Sequence, residues 1–221
     1  MDKEKVFAVF GNPIKHSLSP VIHAAFADQF SISLKYTAEL IESHDFEDSV
    51  ERFFAAGGFG INVTVPFKSE AFQIAAKASQ RANRAGAANT LLSKKNAIEC
   101  DNTDGAGLVC DLKENLLWAI KSKRILVIGA GGATQGILEV LLKEDPAYIH
   151  IANRTKSKAI DLARQFSDLG SVEGAGIDDI ASENYDLVFN ATSAGVKQEP
   201  LSLPTSLVNE KVCCYDLAYG S

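Results

Sequence analysis

Four groups of residues stand where packing alone gives them no reason to be. Ser17 and Ser19 flank Leu18 in a loop that ends at Pro20. Serine followed by proline makes a good helix start, with serine as N-cap and proline at the first helical position. Ser19 is therefore expected to cap a helix. Ser17 has no such duty, and two hydroxyls in one loop suit a carboxylated or polyhydroxylated ligand. Further on, Asn62 and Thr64 alternate with Ile61, Val63 and Val65, and Lys68 follows Pro66. A period of two puts the amide and the hydroxyl on one face of a strand. Such a face, ending at a lysine, fits the floor of a polar ligand site; an exposed edge strand has the same pattern. Asp101, Asn102, Thr103 and Asp104 then crowd a helix start that needs only one cap. Calcium loops use similar clusters, but the EF-hand spacing and its terminal glutamate are missing, and no metal is expected.

The fourth group is Gly129, Ala130, Gly131, Gly132 and Ala133. It follows a run of apolar residues over 125–128 that reads as a buried parallel strand. It precedes Ile137, Leu138, Leu141 and Leu142 at helical spacing. Strand, glycine turn and helix aim free backbone N–H groups and the positive end of a helix dipole at a phosphate. The flanking pattern on both sides raises this turn above a lone Gly-x-Gly. The last fingerprint position is Thr134 instead of Gly or Ala, so helix–strand packing is expected to depart from the usual form. A second candidate strand, over 148–152, ends in Asn153, Arg154 and Thr155, with Lys156 and Lys158 behind. An NAD site carries Asp or Glu at this point for the ribose 2′-OH. Arg154 offers a planar guanidinium and a cation for a 2′-phosphate instead. Cations at a helix N-terminus oppose the dipole and need a ligand as their reason. The expected cofactor is NADP.

These groups must be held by regular elements. Strands are expected over 6–10, 36–40, 60–65, 91–92 and 98–100, with helices after Ser19, over 43–56 and over 104–117. The fold class is α/β in two domains, residues 1–103 and 104–221, the second a Rossmann-type, doubly wound parallel sheet. With 221 residues and 46% hydrophobic content, the chain can bury one large core or two modest ones. A net charge of −6 and the lack of a basic tract exclude a general attraction to nucleic acid or acidic membranes. No apolar run is long enough for a bilayer, and the N-terminus has no signal core. The 4 cysteines show no Cys-x-x-Cys spacing and fit reduced thiols in the cytoplasm.

Taken in order, the motifs are GNPIKHSLSP at 11–20, NVTVPFK at 62–68, GAANT at 86–90 and DNTDG at 101–105. GAGGA at 129–133, NRT at 153–155, NATSAG at 190–195 and Tyr215 with Asp216 follow. Together they resemble the shikimate dehydrogenase family over essentially the whole chain. The resemblance implies reversible, NADP-linked reduction of 3-dehydroshikimate to shikimate, a step of chorismate and aromatic amino acid biosynthesis. It implies that domain 1–103 binds substrate and domain 104–221 binds NADP. By motif position, Lys68 is the catalytic lysine and Asp104 its partner. Ser17 and Ser19 would hold the substrate carboxylate. Thr64, Asn89 and Asp104 would hold ring hydroxyls, Asn62 lines the same strand, and Tyr219 contacts substrate. The implied cofactor set is Gly129, Ala130, Gly131, Gly132, Ala133, Asn153, Arg154, Thr155, Lys158, Thr192 and Leu217, without a metal. The implied partner is a small-molecule substrate only, bound by a monomer or homodimer.

Family members continue well past the position of Ser221. That further segment would carry a last strand of the cofactor sheet, a glycine near the nicotinamide, a glutamine closing on substrate and a helix returning to the first domain. A truncated NADP-binding fragment without turnover is therefore one alternative. Another is a quinate/shikimate dehydrogenase with broader cofactor use. Such relatives tend to place an acidic residue after the Asn-Arg turn; Thr155, Lys156 and Ser157 stand here and favour NADP.

Overall fold

The structure, a computed structural model, describes residues 4–95, 97–180, 184–192, 203, 207 and 210–217. Two compact units divide the chain, Met1–Thr103 and Asp104–Ser221.

The first unit runs β1 (Lys5–Gly11), α1 (Ser19–Phe30), β2 (Leu34–Leu40), α2 (Phe46–Ala55), β3 (Gly60–Val63), α3 (Lys68–Gln73), β4 (Lys77–Ala78), α4 (Gln80–Ala85), β5 (Thr90–Lys94) and β6 (Ala97–Asp101). Its sheet has the order β2-β1-β3-β5-β6-β4. Helical crossovers bring β2 and β3 back parallel to β1, whereas the tight reversal after Lys94 makes β5 and β6 antiparallel. Alternation sorts the residues of β1 and β3 between two faces. Ala8, Phe10, Ile61 and Val63 pack with Phe46, Val50, Phe67, Ala71 and Leu91 in one core, where the Phe46 and Phe67 rings stack at 4.7 Å. The other face carries a polar row, because Asn62 lies opposite Thr90 and Thr90 opposite Asp101. β3 is thus an interior strand and not an edge. It ends at Val63, earlier than the alternation through Val65 indicates, because the Phe67 N–H bonds back to the Thr64 carbonyl at 3.1 Å and closes a turn.

The polar row ends in an ion pair that spacing alone did not reveal. Asp101 accepts from Ser79 Oγ at 2.6 Å, Arg81 Nε at 2.7 Å and the Asn102 N–H at 2.7 Å. The Arg81 guanidinium, aided by Ser79 and the Asn102 amide, holds the Asp101 carboxyl down at about 2 against the opposing effect of burial. A folded-state value below the unfolded one contributes stability that is complete above about pH 4 and lost as the pH falls through about 2. The Asp101 and Arg81 side chains are 32% and 39% exposed, so solvent screening reduces the effect to on the order of 1 kcal/mol. Asp101→Asn is expected to lower Tm by about 2–4 °C at neutral pH. In melts followed by circular dichroism, the gap from wild type should close between about pH 4 and pH 2. A gap that persists at the low end would place its origin outside this carboxylate.

The second unit begins with α5 (Asp104–Cys110), which widens into a π-helical segment, Asp111–Asn115. The expected single helix over 104–117 is therefore interrupted. At the interruption, Asp111 accepts from Asn115 Nδ2 at 2.6 Å and from the Tyr215 hydroxyl at 2.8 Å. Then come β7 (Arg124–Ile128), α6 (Gly132–Lys143), β8 (Tyr148–Asn153), α7 (Lys156–Phe166), β9 (Val172–Gly176), β10 (Leu187–Asn190) and β11 (Cys213–Asp216). All five strands are parallel, in the order β11-β10-β7-β8-β9. Helix-linked strands buried on both faces need continuous apolar residues, and Ile125, Leu126, Val127 and Ile128 are at most 1% exposed. α5 lies close on α6: a Cβ on Gly105 would come within 2.6 Å of the Gly136 carbonyl oxygen. Among the described residues, no helix is long and apolar enough to cross a membrane.

Candidate functional site

In the first unit, β1 and β3 finish at the same end of the sheet at which β5 starts and β6 finishes. The loops leaving that end carry most of the chemistry-bearing residues. Backbone bonds lace them together: Asn12 N–H to Val65 O at 2.9 Å, Thr64 N–H to Phe10 O at 2.9 Å, Val63 N–H to Asn89 O at 2.8 Å and Ala88 N–H to Lys68 O at 2.7 Å. Thr64, Lys68 and Asn89 are thereby gathered with Asn62, all half-buried. Asn89 is tied to Thr103, whose N–H it accepts at 3.0 Å through Oδ1. Asn62 accepts from the Tyr36 hydroxyl at 2.7 Å.

The serine pair exchanges its expected roles. Ser19 is the first residue of α1, and Leu18, at the N-cap position, makes no side-chain cap. Ser17 Oγ accepts the Ser19 N–H at 3.3 Å instead. A hydroxyl two residues ahead of a helix satisfies one of its orphan N–H groups as a short serine turn does. The Ser17 hydroxyl hydrogen and the whole Ser19 hydroxyl take no part in that bond.

Asp104 opens α5, half-buried, in the second unit. Of its polar neighbours, Asp101 is committed to Arg81, and Asn102 is buried with its Nδ2 donating to Ala87 O at 3.0 Å. The polar cluster at 101–104 therefore divides into structural and candidate functional members. Tyr219 lies outside the described residues. Sequence reading missed Tyr36 and Arg81, and took Thr103 only as a member of the polar cluster at 101–104. The only local signal for them was polar character at strand and helix ends, which many solvated residues share.

The second unit places its residues along the carboxyl ends of parallel strands. Strand order reverses between β7 and β10, where ligands of such sheets bind. Gly129 follows β7 with φ +109°, a left-handed region open chiefly to glycine, and a Cβ there would lie 3.0 Å from the Ala191 carbonyl oxygen. Gly131 is the N-cap of α6 with no side-chain cap, and a Cβ on it would meet nothing within 4 Å. Space is thus open beside Gly131 at the start of α6, where the first helical N–H groups have no intrahelical partner, an arrangement that fits a dinucleotide pyrophosphate. Thr134 departs from the fingerprint without loosening it. Its side chain is buried and its hydroxyl donates to Gly129 O at 2.8 Å, bracing the turn.

After β10, Asn190 organises the adjoining loops. Its Oδ1 accepts from the Thr192 N–H at 3.1 Å and hydroxyl at 2.8 Å, and its Nδ2 donates to Asp216 at 3.0 Å. The Leu217 N–H bonds to Asn190 O at 2.9 Å, so Thr192 and Leu217 share this edge with the glycine turn. At the end of β8, Asn153 Nδ2 donates to Thr155 O at 2.9 Å, shaping the entry to α7. Lys156 is paired with Asp179 at 2.9 Å. Arg154 and Lys158 are exposed and form no ion pair among the described residues. Also among the described residues, no group of three or more His, Cys, Asp or Glu could hold a metal ion.

A parallel sheet with a glycine turn at its switch point and an arginine past the next strand defines a dinucleotide-linked dehydrogenase, here joined to an α/β unit with its own polar site. Residues 9–91 match the family described as shikimate dehydrogenase substrate binding domain, and residues 111–203 match shikimate / quinate 5-dehydrogenase. The chain is 50% identical to the shikimate dehydrogenase (NADP+) of Cellvibrio japonicus, over 98% of this chain and 78% of that one. Two solved structures are similar throughout. One is the shikimate dehydrogenase of Aquifex aeolicus, with a TM-score of 0.85 and 32% identity over 100% of this chain and 81% of that one. The other is a shikimate dehydrogenase in complex with NADP+, with a TM-score of 0.86 and 29% identity over 99% and 78%. The chain belongs to the shikimate dehydrogenase family.

Proposed function

We propose that the chain catalyses the reversible reduction of 3-dehydroshikimate by NADPH, giving shikimate and NADP+. The reading rests on half identity to an NADP+-dependent shikimate dehydrogenase across both units, in a chain that keeps Lys68 tied beside Asn89. Ser17 and Ser19 donate hydroxyl hydrogens to the substrate carboxylate. Asn62, Thr64 and Asn89 bind ring hydroxyls. Asp104 binds one more hydroxyl. The bound cofactor supplies the hydride. As negative charge develops on the ketone oxygen, Lys68 delivers a proton to it and recovers one from solvent afterwards. One hydride and one proton thus convert the ketone to an alcohol. Arg154 and Lys158 hold the 2′-phosphate that distinguishes NADP from NAD.

An assay that follows NADPH formation from shikimate and NADP+, then from quinate, tests this reading. Turnover with shikimate that greatly exceeds turnover with quinate is expected. Absence of turnover with shikimate rejects the assignment.

A further inference from the structure

We propose that Tyr36 is a positioning residue for substrate, fixing the Asn62 amide so that it offers its N–H donors, not its carbonyl oxygen, to the ligand. The inference rests on the proposed role of Asn62 in the substrate site. Tyr36 stands on β2 and Asn62 on β3, the two strands that flank β1, with Tyr36 opposite Phe7 and Asn62 opposite Val9. The three strands are parallel, so both side chains lie on one face, and the phenol reaches across β1 to donate to Asn62 Oδ1 at 2.7 Å. That bond occupies the amide oxygen. The Asn62 Nδ2 then turns toward Asn89 O and Thr90 Oγ1, each 3.4 Å away. Both contacts are longer than ordinary N–H···O bonds, so these hydrogens are only weakly satisfied. They point to the Asn89 side, where ligand oxygens with lone pairs are expected.

The phenol is itself held. The His23 ring of α1 stacks on Tyr36 with centroids 4.2 Å apart and planes 9° from parallel. Burial pushes the His23 imidazole below its usual pKa, in the direction that favours the neutral ring. An asparagine amide without an anchor can turn end for end, and it then offers an acceptor where a donor is wanted. Tyr36→Phe keeps the ring and its stack and removes the hydroxyl that anchors Asn62.

The test compares steady-state kinetics of wild type, Tyr36→Phe, Asn62→Ala and the double variant, with Asn62→Asp as a separate probe. Tyr36→Phe should raise KM for shikimate about five- to tenfold, the worth of one hydrogen bond, with kcat within about twofold and KM for NADP unchanged. The double variant should show no rise beyond Asn62→Ala, because the tyrosine acts only through the amide. Asn62→Asp keeps the shape and the acceptor for Tyr36 but loses both donors, and KM for shikimate should rise as well. If Asn62→Ala leaves that KM unchanged, the substrate role of Asn62 fails and the proposal with it. If Asn62→Ala raises KM and Tyr36→Phe does not, the site reading stands and the positioning role is lost. Additive effects in the double variant, or parallel losses in kcat and both KM values, would reduce Tyr36 to a structural residue. An Asn62→Asp enzyme with normal KM would remove the donor argument even if Tyr36→Phe did not fold.

Discussion

Lys68→Ala is expected to lower kcat by about 10²–10⁴-fold, the usual worth of a positioned general acid–base group. Lys68 is the first residue of α3, and a cation there opposes the helix dipole, so helix stability does not explain the residue type. Its carbonyl, which the alanine variant retains, accepts the Ala88 N–H and shapes the Asn89 loop. Loss of the half-buried side chain should therefore leave Tm within a few degrees of wild type while turnover collapses. KM for shikimate should rise far less than kcat falls, because the proton is needed chiefly as charge develops on oxygen. Lys68→Arg separates charge from proton transfer, since a guanidinium keeps the charge but does not release a proton at working pH. Turnover should stay low in that variant also. Near-normal kcat in Lys68→Ala, measured by NADPH formation under saturating shikimate, discards the role.

Arg154→Ala should raise KM for NADP about 10–100-fold, the loss of one or two charge-assisted hydrogen bonds to a phosphate, and leave the rate with NAD nearly unchanged. The arginine is exposed, stands between Asn153 and the N-cap Thr155 of α7, and supports no ion pair among the described residues. Its removal therefore has little else to disturb. Lys156→Ala should weaken NADP less, because its ammonium is already paired with Asp179 at 2.9 Å. Initial rates with both cofactors check this. Equal losses with NADP and NAD would show that Arg154 does not read the 2′-phosphate.

How much of this could be read along the chain follows from the range of each interaction. The turn at Gly129 was legible because its causes are local: a buried apolar strand, a positive φ at glycine and a helix start without a side-chain cap. The basic turn at Arg154 was legible for the same reason. The cluster at 101–104 was legible only as a cluster. Its division required Arg81, 20 residues away from Asp101, to arrive beside it through the pairing of β6 with β5 and β4. The serine loop was misread in detail because the helix begins one residue earlier than a serine cap before proline implies: Ser19 is already helical, its N–H bonds to Ser17 Oγ, and the Ile22 N–H bonds to the Leu18 carbonyl.

Local periodicity and residue chemistry, by themselves, indicated two α/β units, a glycine turn between a buried strand and a helix, an arginine past the next strand and a lysine after a polar strand face. Sheet order and register decided the rest. They made β3 an interior strand, set Thr90 and Asp101 in line with Asn62, and brought the Tyr36 hydroxyl across β1 to an amide 26 residues away. Side-chain pairing across strands depends on which strands become neighbours. That choice belongs to the burial of whole faces in a common core, which no short stretch of chain encodes.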